Sequence, residues 1–415
     1  MVAADPSPVT CHSSPHVVVV LHVFHKSEWA GAAVSAWETV RRMDHRRYRV
    51  IAVVPEEGQL AQRLRDIEAE VWIDGAVGMS RWAWLMWWRW RVLARRARQA
   101  GVALVDVNYH ATALVGVWLA QRLGVPVVAR VRVIPWLSWS ERWALRQATR
   151  VVCVSETVRR AVLRSRRSDG LLGLDALRCL VLGDGRELGR FQSAQANGLC
   201  QEFGWPEGTP LVGIVGSLEP NKRQDFFLQV AAEVARQESR ARFLIVGDSN
   251  MEKHRWFKAH LSALSERLGL GDRVVLTGQR QDVPRVMKAL AVCMLLSWRD
   301  ACPGVLIEAM AAGAPIVASP AGGGARELVG MDGAGIVLES EDPREYAAAV
   351  VTLLRDPARR QAMGALGRLR AERYDVASAT KKLERIYEEL LEQKADASRK
   401  LQAASTSKRH NRSSS

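Results

Sequence analysis

Asp300 and Glu308 stand eight positions apart and bracket Cys302, Pro303 and Gly304. A helical pattern follows from Val305, with Gly313 where it should end and Pro315 blocking its continuation. An apolar run at 316–318 reads as a buried strand, and Gly322, Gly323 and Gly324 then lead to Glu327. Free N–H groups at a helix start, beside glycine loops, favour phosphate. Carboxylates next to them suit the hydroxyls of a ribose or a sugar. The ligand implied is phosphorylated and hydroxyl-rich, such as a nucleotide sugar.

Residues 214–222 repeat the phosphate theme: a strand, a turn at Gly216, and Lys222 near a helix start. Lysine is a compact point charge suited to a departing diphosphate. In the first half, Gly31 opens a helix and can bring backbone close to a phosphate without steric cost. Ser155 with Glu156, and Asp282 before Pro284, read as helix starts.

These residues need a scaffold, and the apolar pattern supplies one. Strands are predicted at 16–21, 48–54, 102–107, 125–131 and 151–154, with helices at 31–43 and 111–123. The pattern restarts with strands at 211–215, 243–246, 274–276, 293–296 and 316–319, and helices at 223–236 and 252–268. Alternating strands and helices argue for α/β architecture with parallel sheets. Two Rossmann-like halves place a ligand in the crevice between them, at the carboxyl ends of the strands.

The segment from Asp300 to Glu327 resembles the signature of family 4 retaining glycosyltransferases of the GT-B fold. Glu308, Ala309, Met310, Ala311, Gly313, Pro315, Gly323, Gly324 and Glu327 match, and Asp300 replaces the usual first Glu. The resemblance implies two Rossmann-like domains with parallel sheets facing a central cleft. It implies retaining transfer of a sugar from a nucleoside diphosphate sugar to a glycan or lipid-linked acceptor, without a metal or other cofactor. Lys222 would meet the departing diphosphate with the N–H groups of Gly304 and Val305. Glu308 would hold the ribose; Asp300, Cys302 and Pro303 would hold the donor sugar. The family's Arg near Lys222 is Ser217 here, and Arg223 is the candidate substitute. His110, or Asn108 in its stead, stands for the family's first-domain histidines. A UDP-sugar epimerase of the same fold and a catalytically weakened partner protein are the alternative readings.

By the same resemblance the chain divides into a flexible N-terminus (1–15), an acceptor-side domain (16–185), a linker (186–210) and a nucleotide-sugar domain (211–370). A crossover helix (371–392) returns to the first domain. The Ser- and Lys/Arg-rich residues 393–415 lack a core face and read as a disordered tail.

Composition bounds the partners. The 415 residues carry a formal charge of +15, which favours anionic surfaces or phosphorylated ligands. No nucleic-acid motif accompanies the charge, so nucleic acid is not an expected partner. Six cysteines without ligand spacing point to a reducing, cytoplasmic setting. Twelve of the 15 tryptophans precede residue 150. On a helix through residues 81–98, Trp82, Met86, Trp90, Leu93 and Ala97 share an arginine-free face, whereas Trp84 and Trp88 fall among arginines. Trp mixed with Arg is the chemistry of a membrane–water interface. Peripheral attachment at the inner face of the plasma membrane, in cell-surface polysaccharide synthesis, is the expectation.

Overall fold

The computed structural model describes residues 17–29, 31–78, 87–134, 137–164, 175–249, 254–330 and 332–413, with side chains to residue 404. The expected flexible stretch 1–15, Trp82, Trp84 and Met86 lie outside the described residues.

Seven strands form the first sheet: β1 (Val18–Val23), β2 (Tyr48–Val54), β3 (Glu70–Ile73), β4 (Val102–Val107), β5 (Val127–Val131), β6 (Arg150–Cys153) and β7 (Cys179–Val181). Their order is β3-β2-β1-β4-β5-β6-β7 and every pairing is parallel. Six strands form the second: β8 (Leu211–Val215), β9 (Arg242–Val246), β10 (Val274–Gly278), β11 (Leu290–Leu295), β12 (Ile316–Ala318) and β13 (Ile336–Val337). Their order is β10-β9-β8-β11-β12-β13, again all parallel. The fold is α/β with two such sheets, as the sequence pattern predicts.

Each sheet is apolar on both faces because helices cover both. Leu21, Ile51 and Val105 face a core with Trp90, Leu93 and Ala97. Their strand neighbours Val20, Val50 and Leu104 face Ala36, Val40 and Tyr387 on the other side. The second sheet repeats this, with Leu244 and Phe243 on opposite sides. Strand order reverses between β1 and β4 and between β8 and β11. Chain ends that diverge there leave a crevice beyond each sheet's carboxyl edge.

Two expected boundaries are corrected. Residues 186–210 are not a free linker: Leu188, Phe191, Leu199, Cys200 and Trp205 are buried in the second core. Their apolar residues are too sparse for a periodic pattern but dense enough to pack. The tail 393–415 is not disordered throughout, because helix Val376–Ser413 continues through it. Once a helix is nucleated, Ala, Gln, Leu and Lys propagate it without a core face.

That helix returns to the first sheet. Leu383, Ile386, Tyr387 and Leu390 join its core, and Tyr387 donates its hydroxyl to Asp106 Oδ2. Asp106 is fully buried and also accepts from Arg130 Nε and Nη2, at 3.1 and 2.9 Å. His22 Nδ1 lies 4.0 Å from Asp106 Oδ1. At the crossing, Arg186 N donates to Tyr374 O (2.8 Å) and Val376 N to Arg186 O (3.0 Å). A Cβ on Gly185 would meet Val376 Cα at 2.5 Å, so the strands of chain pass here only with glycine. A second link joins the halves. Glu327 accepts from the backbone N–H of Glu156 (2.7 Å) and Thr157 (3.0 Å), the start of helix Glu156–Leu163.

Candidate active site between the two sheets

A cleft of about 480 Å³ lies between the sheets' carboxyl edges. Its second-domain wall follows from the sequence motif. Helix Gly304–Ala312 begins after Pro303 and ends at Gly313, whose φ of 77° is left-handed. Gly304 and Val305 stand at its first turn, where N–H groups have no intrahelical partner. Glu308 follows one turn later and faces the same cleft, as do Asp300 and Cys302. Burial raises the Cys302 thiol to about 12, so it enters neutral solution as a thiol rather than a nucleophile.

Lys222 closes the 3-10 turn Pro220–Lys222 after β8. Its Nζ lies 2.7 Å from Asp300 Oδ2, joining two candidates that are far apart in sequence. Asn221 Nδ2 donates to Arg299 O at 3.1 Å, and Trp298 N to Asn221 O at 3.0 Å, so the two loops are tied side by side. Ser217 lines the cleft and donates to Glu219 Oε1 at 2.6 Å.

Arg223 does not reach this group. Its φ of 59° turns it away, and its guanidinium lies between the rings of Phe226 and Trp298, at 4.2 and 4.0 Å. It pairs there with Glu341. Asp282 stands at the start of helix Val283–Ala289, as its place before Pro284 predicts. Its carboxylate caps no backbone N–H and instead pairs with Arg280 and Arg285, which hold it down at about 2.

On the first-domain wall, Gly31 at the start of helix Gly31–Arg42 faces the cleft. Asn108 lines an adjoining pocket of about 290 Å³ with His25, Tyr109 and Glu219. The two cavities share Ala32, Tyr109 and Ser217. His110 lines neither: it is buried, with Nε2 3.9 Å from Glu141 Oε1. Burial lowers its basicity. His25 and His254 face the pocket instead, and His25 is stacked on Tyr109 with centroids 5.5 Å apart. Burial lowers the basicity of His25 too. Its position just past β1, beside the strand-order reversal, was the available signal.

Two buried arginines in the cleft had no sequence signal beyond their strand or turn context. Arg132 follows β5, donates Nε to Asn108 O at 3.0 Å and pairs with Asp184, leaving Nη2 without a partner. Arg186 stands between Glu38 and Glu308, at 3.5 and 3.4 Å. Burial raises both carboxyls, and Arg186 opposes that rise.

A doubly wound pair of parallel sheets around this cleft is the GT-B architecture. The model for "Glycosyltransferase Family 4" matches residues 29–169, and that for "Glycosyl transferases group 1" matches residues 209–356. A 2-deoxystreptamine glucosyltransferase of Streptomyces kanamyceticus is 31% identical over 227 residues, covering 54% of this chain and 56% of that protein. A D-inositol 3-phosphate glycosyltransferase of Segniliparus rotundus is 28% identical, covering 66% and 63%. The chain thus spans less than two thirds of the length of either curated relative. Anabaena HepE, solved with UDP-glucose, superposes with a TM-score of 0.76 at 20% identity, covering 90% of this chain and 100% of that one. With both halves matched in tandem, the chain belongs to the family 4, group 1 glycosyltransferases.

Proposed function

We propose that this protein transfers a sugar, with retention of anomeric configuration, from a nucleoside diphosphate sugar to an acceptor hydroxyl. One observation carries the reading: Lys222, Asp300, Glu308 and the start of helix Gly304–Ala312 meet in one cleft. Lys222 and the free N–H groups of Gly304 and Val305 would take the charge that develops on the departing diphosphate. Glu308 would accept from ribose hydroxyls, and Asp300 with the Cys302-Pro303 turn from the donor sugar. This reading needs no metal. The solved neighbour HepE holds UDP-glucose, which supports a uridine diphosphate sugar as the first donor to try. The adjoining pocket around Asn108, His25 and Tyr109 is the proposed acceptor side. A thermal-shift screen across nucleotide sugars tests donor binding, because a ligand bound only by the native state raises its melting temperature. Turnover of donor alone, yielding an isomerised nucleotide sugar, would favour the epimerase reading. Absence of any donor binding would favour the weakened partner protein.

The acceptor is proposed to be lipid-linked or a surface glycan, met at an anionic membrane. In helix Trp87–Gln99, Trp87, Trp88 and Val92 are 49, 57 and 56% exposed. Arg91 lies 4.2 Å from the Trp87 ring centroid and Arg89 lies 6.0 Å from that of Trp88. Exposed indole beside guanidinium supports an interfacial contact. No described helix is long and apolar enough to cross a membrane.

A further inference from the structure

Arg186 has an unusual position for a cation. It is only 5% exposed, yet it lines the cleft. Each edge of its guanidinium faces a different group. Nη1 donates to Ser35 Oγ (2.6 Å) and Gly185 O (3.0 Å), with Glu38 Oε2 at 3.5 Å. Nε lies 3.4 Å from Glu308 Oε1, without the geometry of a hydrogen bond. Nη2 is laid against the first residue of helix Gly304–Ala312, where a Cβ built on Gly304 would stand 2.1 Å away. The three atoms nearest that Cβ all belong to Arg186.

The other cleft cations are committed differently. Arg280 is held by Glu202 and Asp282, and Lys222 by Asp300. Arg132 is tied to Asp184 and the Asn108 carbonyl. Among the described residues, Arg186 joins a guanidinium to a nine-residue helix's free N–H groups, beside the carboxylate assigned to ribose. A planar fork matches phosphate geometry as an ammonium does not.

We propose that Arg186 is the second diphosphate-binding cation of this site, supplying the guanidinium that Ser217 cannot. The proposal rests on the donor-site reading above. Its Nη2 end serves the phosphate while its Nε edge keeps Glu308 turned toward the ribose. One side chain from the domain crossing thus joins diphosphate recognition to the first domain, through Ser35 and Glu38.

The test compares each nucleoside with its diphosphate by calorimetry, across uridine, guanosine, adenosine and thymidine. The ratio of their affinities isolates the contribution of the phosphates. In the wild type the diphosphate should bind more tightly for at least one base. Arg186→Gln should cut that ratio by about tenfold or more, the scale of losing a charged hydrogen-bond partner. Removing Arg186 alone leaves two buried carboxylates facing each other. The paired variant Glu38→Gln/Arg186→Gln keeps the group's net charge and should show the same cut. If both variants keep the wild-type ratio, or weaken nucleoside and diphosphate equally, Arg186 only positions Glu308 and the proposal is overturned. If the wild type gains nothing from the phosphates, the donor-site reading fails with it.

Discussion

Lys222 and Asp300 hold each other at 2.7 Å across two loops, so each should matter beyond its own charge. Lys222→Ala should lower turnover by about two to three orders of magnitude, the scale of losing one electrostatic partner of a transition state. Asp300→Glu should retain activity, because a carboxylate with one more methylene still reaches the lysine. Steady-state kinetics of the two variants read this directly; an active Lys222→Ala enzyme would remove the lysine from the mechanism. Legibility at this scale was uneven. Asp300, Gly304 and Glu308 were readable because one loop and one helix carry them, so spacing survives folding. Arg186 and Arg132 were not, because the fold gathers them from separate chain segments, and His25 offered only its position just past β1. Arg186 looks in sequence like any arginine after a turn; only the chain crossing buries it. His110 misled because a histidine after a strand suggests a cleft residue, whereas its 3-10 turn tucks the ring toward Glu141.

Elements show the same contrast. Strands in buried apolar runs were legible, even β6 and β12 at four and three residues, whereas β3, β7 and β13 are short edge strands that are only partly buried. Glu327 sat in a recognisable glycine-rich motif, yet its task at the start of helix Glu156–Leu163 depends on the other domain. Glu327→Ala should cost about 1 kcal/mol, as for a lost helix cap, measured as a lower denaturation midpoint. An unchanged midpoint would show that water replaces the carboxylate. The crossover helix rests on the buried His22, Asp106, Arg130 and Tyr387 group. Burial depresses His22 from 6.5 to about 4. The unfolded chain therefore takes up this proton first, and the stability present above pH 6.5 is lost as pH falls toward 4. Asp106, lowered by Arg130, His22 and Tyr387 against the rise from burial, loses its contribution at still lower pH. Thermal melts across that range should fall steeply for the wild type and less steeply for His22→Phe. Parallel curves would place the acid sensitivity elsewhere.

At the scale of the whole molecule, the proposed membrane contact rests on the exposed Trp87, Trp88 and Val92 of helix Trp87–Gln99. Anionic lipid adds about 1 kcal/mol for each well-placed arginine, a term that salt screens. Flotation with anionic vesicles should therefore occur at low salt and decline as salt rises. Replacing Trp87, Trp88 and Arg91 together should reduce it in a folded protein. Flotation indifferent to these residues would return the helix to a purely structural role. Calorimetric titration of wild type and Glu308→Ala with nucleoside diphosphates tests whether the cleft is the donor site. The wild type should bind at least one nucleoside diphosphate, and Glu308→Ala, still folded, should lose at least about tenfold in affinity. Equal binding by the two proteins, or none by the wild type, would mean that the cleft is not the donor site.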